Sequence, residues 1–175
     1  MIRRVISIID GFTERLGKIV MWLSLVLVLL VCADVAMRYL FSLSFTALRE
    51  LEWYAYSLLF LLGAAYTLRH DAHVRVDVIY QYLSPRSRAA VNVAGCLLFL
   101  FPGCWLVIDT SMPFVEYSLQ ISESSSDPGG MPLLWPIKAA IPVGFALLAL
   151  QGIAFLLRNA LVLAGGAPKS HNSEA

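Results

Sequence analysis

Charge is what this chain of 175 residues has least of: 14% of it is Asp, Glu, Lys or Arg, against 59% hydrophobic residues. Soluble domains carry roughly 25% charged residues. A soluble protein of this size has too little interior to hide so much apolar surface. The composition asks for a bilayer as solvent. Net charge is +1 and there is no Lys/Arg-rich tail, so nothing points to nucleic acid as a partner. No internal repeat is visible.

Cysteine is scarce too. Cys32, Cys96 and Cys104 all fall in apolar segments and form no CxxC pair. A quinone-linked disulfide oxidase with four helices is about this size, but it needs cysteine pairs at its outer face. The polar loops hold none, so the three are expected to be buried structural thiols. Histidine is limited to His70, His73 and His171, all outside the apolar segments. Haem inside a membrane needs histidines within the spans. His70 and His73 could share a helical face near Asp71 or Asp77, but a metal site needs three or four convergent ligands. That run, TLRHDAHVRVD (67–77), reads as a solvated loop. No catalytic residue, metal or cofactor is expected.

Four apolar segments are present, predicting an all-α membrane protein. The expected spans cover about 19–40, 48–68, 86–108 and 136–158. Each approaches the ~20 residues that cross the hydrocarbon as a helix, the form that satisfies its own backbone there. The whole chain reads as one four-span domain. Ahead of the first span, Ile2, Val5, Ile6, Ile9, Phe12, Leu16 and Ile19 share a face, which predicts an amphipathic interfacial helix over 2–17, with Gly11 and Gly17 as bends. The alternative is a straight extension of the first span. The N-terminus does not resemble a cleaved signal peptide. Asp77 can cap a short interfacial helix over 78–83. Ser84 and Pro85 read as N-cap and first residue of the third helix, which Pro102 should kink. SSSDPGGMP (124–132) is a turn cluster, Pro136 and Pro142 stand near the start of the fourth helix, and residues 165–175 read as a flexible tail.

Orientation follows the basic residues. Arg3, Arg4, Arg15 and Lys18 precede the first span. Arg69, Arg75, Arg86 and Arg88 follow the second, and Arg158 and Lys169 end the chain. Only Arg38, Arg49 and Lys138 fall on the alternate side. The stretch 109–136 has no Lys or Arg, but holds Asp109, Glu116, Glu123 and Asp127. Both termini and the 67–77 loop are therefore expected in the cytoplasm, with the acidic loop outside.

Several residues are candidates for anchoring or subunit contact. Asp34 is the one acid expected well inside a span, and Arg38 one turn on can neutralise it. That pairing argues against a small proton-coupled exporter, which keeps its membrane carboxylate unpaired. Glu50, Glu52 and Trp53 open the second helix, where acids suit the helix dipole and Trp suits the interface. Gly63 begins a small-residue patch that permits close packing, and Gln151 offers a polar contact. With one membrane acid, no broken-helix pair and no inverted repeat, the chain makes a poor solo transporter.

ELEWYAYSLLFLLGAAYTLRHDAHVRVDVIYQYLSPR (50–86) resembles the signature region of the small, DctQ-like membrane subunit of tripartite ATP-independent periplasmic (TRAP) transporters. The resemblance rests on Glu50, Glu52 and Trp53, on Leu62–Ala65, on Arg69, on His73, Arg75 and Asp77 within HVRVD, and on Pro85. SSSDPGGMP followed by WPIKAAIPVGFALLALQG (135–152) resembles the branch associated with organic acids. The resemblance implies a non-catalytic subunit in the bacterial inner membrane. It would brace a large multi-span subunit that carries substrate with sodium, and would help dock a periplasmic substrate-binding protein. Glu116, Glu123 and Asp127 are the candidate docking residues. The competing reading is a stand-alone four-helix protein, such as a small exporter or a redox-chain membrane anchor.

Overall fold

The computed structural model describes residues 2–70 and 83–165. Among them are four long helices and no strand. Helix α1 covers Ile2–Leu40, α2 Thr46–Arg69, α3 Pro85–Gln120 and α4 Trp135–Leu163. Three of these, α1, α3 and α4, are long and apolar enough to cross a membrane. Helix α2 has the length, at 24 residues. Its polar start (Arg49, Glu50, Glu52), its three tyrosines and its Ser and Thr residues dilute its apolarity.

Helix α4 is the hub and touches the other three, while α1 packs on α2 and α4. The contacts fix the registers. Glu14 meets Arg69, Gly17 meets Tyr66 and Gly63 lies nearest Val20, so α1 and α2 run antiparallel. Leu61 meets Gly144, and Lys138 lies over the Phe114 ring. Gly152 meets Leu100 and Phe101, and Asn92 bonds Asn159. Helices α3 and α4 are therefore antiparallel too, and the four helices alternate up and down. One end of the bundle gathers Lys18, Arg69, Arg88 and Arg158 (the basic end). The other holds the 121–134 connection (the loop end).

The first helix differs from expectation. No separate interfacial helix covers 2–17: α1 is one unbroken helix of 39 residues, about 58 Å long at 1.5 Å per residue. The helix does not break at Gly11 or Gly17. Part of its apolar stripe is used inside the chain: Ile6 and Ile9 pack with Ala154 among Leu150, Leu157 and Leu161 of α4, while Ile2, Val5, Phe12 and Ile19 stay exposed. An interfacial helix would have laid the whole stripe on lipid; here α4 projects far enough to cover its centre. Gly17 is a contact instead of a hinge, since a Cβ there would come within 2.0 Å of the Tyr66 ring.

Helix α3 also departs from the expected span, continuing to Gln120 instead of ending near Ile108. Ser84 caps it, accepting from the Ser87 amide at 3.2 Å, with Pro85 in the first turn as expected. Around Pro102 the helix adopts a π segment, Cys96–Leu100, in which the Phe101 amide donates to the Cys96 carbonyl. A proline lacks the amide for the normal ladder and crowds the carbonyl four residues back. The wider π turn is one way a helix absorbs such an interruption. The second core cluster forms beside it, with Leu68, Cys96 and Phe155 packed by Leu100, Phe101, Leu148 and Leu156. The 124–132 turn cluster has no regular structure, as its composition requires, and Pro136 and Pro142 lie in α4. Cys96 and Cys104 are buried, but Cys32 is exposed on the outside of α1, against expectation. Of the expected capped helix over 78–83, residues 78–82 lie outside the described residues, as do residues 166–175 of the expected 165–175 tail.

Candidate functional site

Lipid gives apolar helices no hydrophobic reason to associate, so fit and interhelical hydrogen bonds must hold a bundle together. The chain concentrates both at its helix crossings. At the basic end, Gln151 is wholly buried between α4 and α1. Its Oε1 accepts from the Thr13 hydroxyl at 2.8 Å, and its Nε2 donates to Asp10 at 3.0 Å. Arg158 donates to the other Asp10 oxygen at 2.8 Å. One turn along α1, Glu14 accepts from Arg69 and lies 3.2 Å from His70 and 3.5 Å from Lys18. The Asn92 amide donates to Asn159 at 2.9 Å, tying α3 to α4. Thus each of the first three helices is attached to its neighbours by a polar clasp at the same end.

At the loop end the acids bind the connection to the helices. Glu50 accepts from the Ser125 hydroxyl and, at 2.6 Å, from the Met131 amide. The Leu134 amide donates to the Glu123 carbonyl at 2.9 Å, and the Glu123 carboxylate pairs with Lys138, whose Nζ lies 3.9 Å from the Phe114 centroid. Gly130 passes so close that a Cβ would come within 2.8 Å of the Glu50 carboxylate. The 121–134 segment is therefore a fastened cap.

Those bonds shift two titrations. The Ser125 and Met131 donors hold the Glu50 carboxyl below the ordinary glutamate value of 4.5, and Lys138 does the same for Glu123. A carboxyl whose pKa is lowered by folding contributes stability above its ordinary value, and that contribution is lost as pH falls through the lowered value. The fastening should thus be intact at neutral pH and weaken only below about 4.5. The check is hydrogen exchange at the Met131 amide, corrected for intrinsic rates. Protection should fall with acidification in the native chain. In Glu50→Gln it should be low and nearly independent of pH. Unchanged protection in that variant would show that Glu50 does not hold the loop.

The remaining sequence candidates fall as follows. Asp34 is buried and pairs with Arg38, while its Oδ1 has no hydrogen-bond partner. The α1–α2 register sets Asp34 level with Arg49, so it belongs with the polar helix start and not with the apolar middle of α1. Glu52 is half-buried with one unpartnered oxygen, and Trp53 points outward, 70% exposed. Gly63 is roomy, its nearest neighbour 3.9 Å from a built Cβ; the close approaches are at Gly17, Gly144 and Gly152. Arg69 and Gln151 are engaged inside the chain, not exposed to a partner. Glu116 is exposed on α3 and not on a loop, while Asp127 is exposed on the loop itself. Asp10, Thr13 and Glu14 were missed as clasp residues, although their spacing on one helical face was the available signal. His73, Arg75 and Asp77 lie outside the described residues. Among the described residues no group of three His, Cys, Asp or Glu is placed to hold a metal.

Comparison with known proteins gives one assignment. A family model described as "Tripartite ATP-independent periplasmic transporters, DctQ component" matches residues 27–161, from the middle of α1 to near the end of α4. No curated protein and no solved structure matches the chain. With most of its length covered by that match, the chain belongs to the DctQ component family, the small membrane subunit of TRAP transporters.

Proposed function

We propose that this chain is the rigid small subunit against which a large TRAP membrane subunit moves solute, driven by sodium. All four helices, α2 included, span the bacterial inner membrane. Both termini and the 67–77 loop face the cytoplasm, and the fastened 121–134 cap faces the periplasm. The observation that carries the reading is the family match joined to the clasps: at the basic end Asp10, Thr13, Glu14, Arg69, Gln151 and Arg158 of α1, α2 and α4 are spent on one another. Such a bundle braces a partner and leaves little polar lining for a path of its own. The acids near the cap, Glu116 and Asp127, are the docking candidates for a periplasmic substrate-binding protein. An organic acid is the proposed solute class, resting on the resemblance of 124–152.

The test is uptake in proteoliposomes. Large subunit, binding protein and this chain together should transport, and omission of this chain should abolish uptake. Transport by this chain alone would overturn the proposal. Orientation has its own check: in a cysteine-free background, a cysteine at Ser125 should react with an impermeant thiol reagent from outside, and one at Ser87 should not. The reverse pattern would invert the topology.

A further inference from the structure

The helix registers allow each charged group to be ranked by depth. Trp53 opens α2 and Trp135 opens α4, and the Leu61–Gly144 contact sets them at nearly one level. Tryptophans gather where hydrocarbon meets headgroups, so this level marks the boundary at the loop end. About 30 Å of hydrocarbon, or ~20 helical residues, lies below it. In that slab the ionisable residues with partners are Glu14, Lys18, Arg69 and His70, all in one clasp, and Lys138 with Glu123 near the boundary. Arg15 is exposed near the basic end, where a long stem can carry its charge to water.

Asp109 fits neither pattern. The antiparallel register of α3 and α4, fixed by Asn92–Asn159, Gly152–Leu100 and Lys138–Phe114, sets it beside Val143. It therefore lies about 11 Å below the tryptophan level. The other helices present Leu23, Phe60 and Val143 at that depth. Asp109 is exposed and has no hydrogen bond or ion pair among the described residues. Its stem is one methylene, too short to snorkel. On the same outward face are Trp105 (71% exposed) and Leu106 (61%). A bare carboxylate facing hydrocarbon is costly, and such residues almost always face protein or a water-filled cavity.

We infer that this face of α3, centred on Asp109, is where the large membrane subunit docks, bringing a Lys or Arg side chain to the Asp109 carboxylate within the membrane. The inference rests on the subunit reading above and adds which helix makes the contact and what chemistry it needs. The apolar Trp105 and Leu106 surround the pair and keep it dry, which strengthens its Coulombic attraction. The long exposed face of α1 carries no comparable unpartnered charge at this depth, and faces lipid.

The experiment is co-purification in mild detergent of this chain, tagged, with its co-expressed large subunit. The native chain should retain the partner, and Asp109→Glu should retain most of it. Asp109→Leu and Asp109→Asn should each lower recovery by about tenfold, while Val28→Ala on α1 changes nothing. The tagged chain purified alone should unfold no earlier when Asp109 is Leu, which separates docking from folding. If Asp109→Leu and Asp109→Asn both keep the partner, the carboxylate faces lipid and the inference fails. If the native chain retains no large subunit, the subunit reading itself fails.

Discussion

Gly144→Ala should destabilise the bundle by about 2 kcal/mol, while Gly63→Ala should be neutral or slightly stabilising. Both changes add one methyl group to a glycine in the middle of a helix, and both gain the helix propensity of alanine. What differs is the space. At Gly63 the new Cβ has its nearest neighbour 3.9 Å away, a Val20 methyl. At Gly144 it comes to 2.9 Å from the Leu61 carbonyl oxygen and 3.0 Å from its Cβ. The obstacle is the backbone of α2, which cannot rotate aside as a side-chain tip can, so α2 and α4 must separate. Separation there also lifts the Glu50 end of α2 from the 121–134 cap. Thermal unfolding in detergent measures the contrast. Gly144→Leu should enlarge the loss and leave little folded protein, and equal effects of alanine at the two sites would show that the α2–α4 approach is not close. Gly17 gives an independent check, because there the obstacle is a ring: Gly17→Ala should be costly alone and much less so with Tyr66→Ala.

The number of long helices was legible because each apolar run is bounded by charge or proline, but the lengths of α1 and α3 were not, since both helices continue past their apolar runs. The Ser84–Pro85 start and the 124–132 turn were legible for the same local reason: caps and turns are written in adjacent residues. The depth of Asp34 was not. It lies in an apolar run, and only the pairing of α1 with α2 shows that the run extends past the start of its neighbour. The role of the first seventeen residues was hidden likewise. An apolar stripe at helical spacing fits lipid or a helix equally well, and the choice depends on whether α4 reaches far enough to cover it. Small residues misled in the same way. Gly63-Ala64-Ala65 advertises a close approach, but which glycine stands at a crossing is set by the registers. Gln151 was visible as a polar residue in an apolar helix, yet its partners Asp10 and Thr13 lie more than a hundred residues away in sequence.

Gln151→Glu should be the most damaging single change at the basic end, and its damage should depend on pH. Gln151 is fully buried, receives one hydrogen bond from Thr13 and gives one to Asp10. Gln151→Leu removes both bonds, each interhelical bond contributing about 1 kcal/mol. Thr13 can turn its hydroxyl to a carbonyl of its own helix, and Asp10 keeps Arg158. The leucine variant should therefore lose about 2 kcal/mol, and pairing it with Thr13→Val should recover part of that. Glutamate has nearly the shape of glutamine but replaces the donor facing Asp10 with a second anionic oxygen. Two carboxylates at hydrogen-bond distance in a buried site cannot both ionise cheaply, and Arg158 can compensate only one. At neutral pH the variant should lose about 3 kcal/mol or more. As pH falls the pair takes up a shared proton, a donor toward Asp10 is restored, and stability should recover toward the native value. Unfolding of both variants across the acidic range provides the measurement. Identical, pH-independent losses for Gln151→Glu and Gln151→Leu would mean that Asp10 does not face Gln151, and the clasp joining α1 to α4 would have to be redrawn.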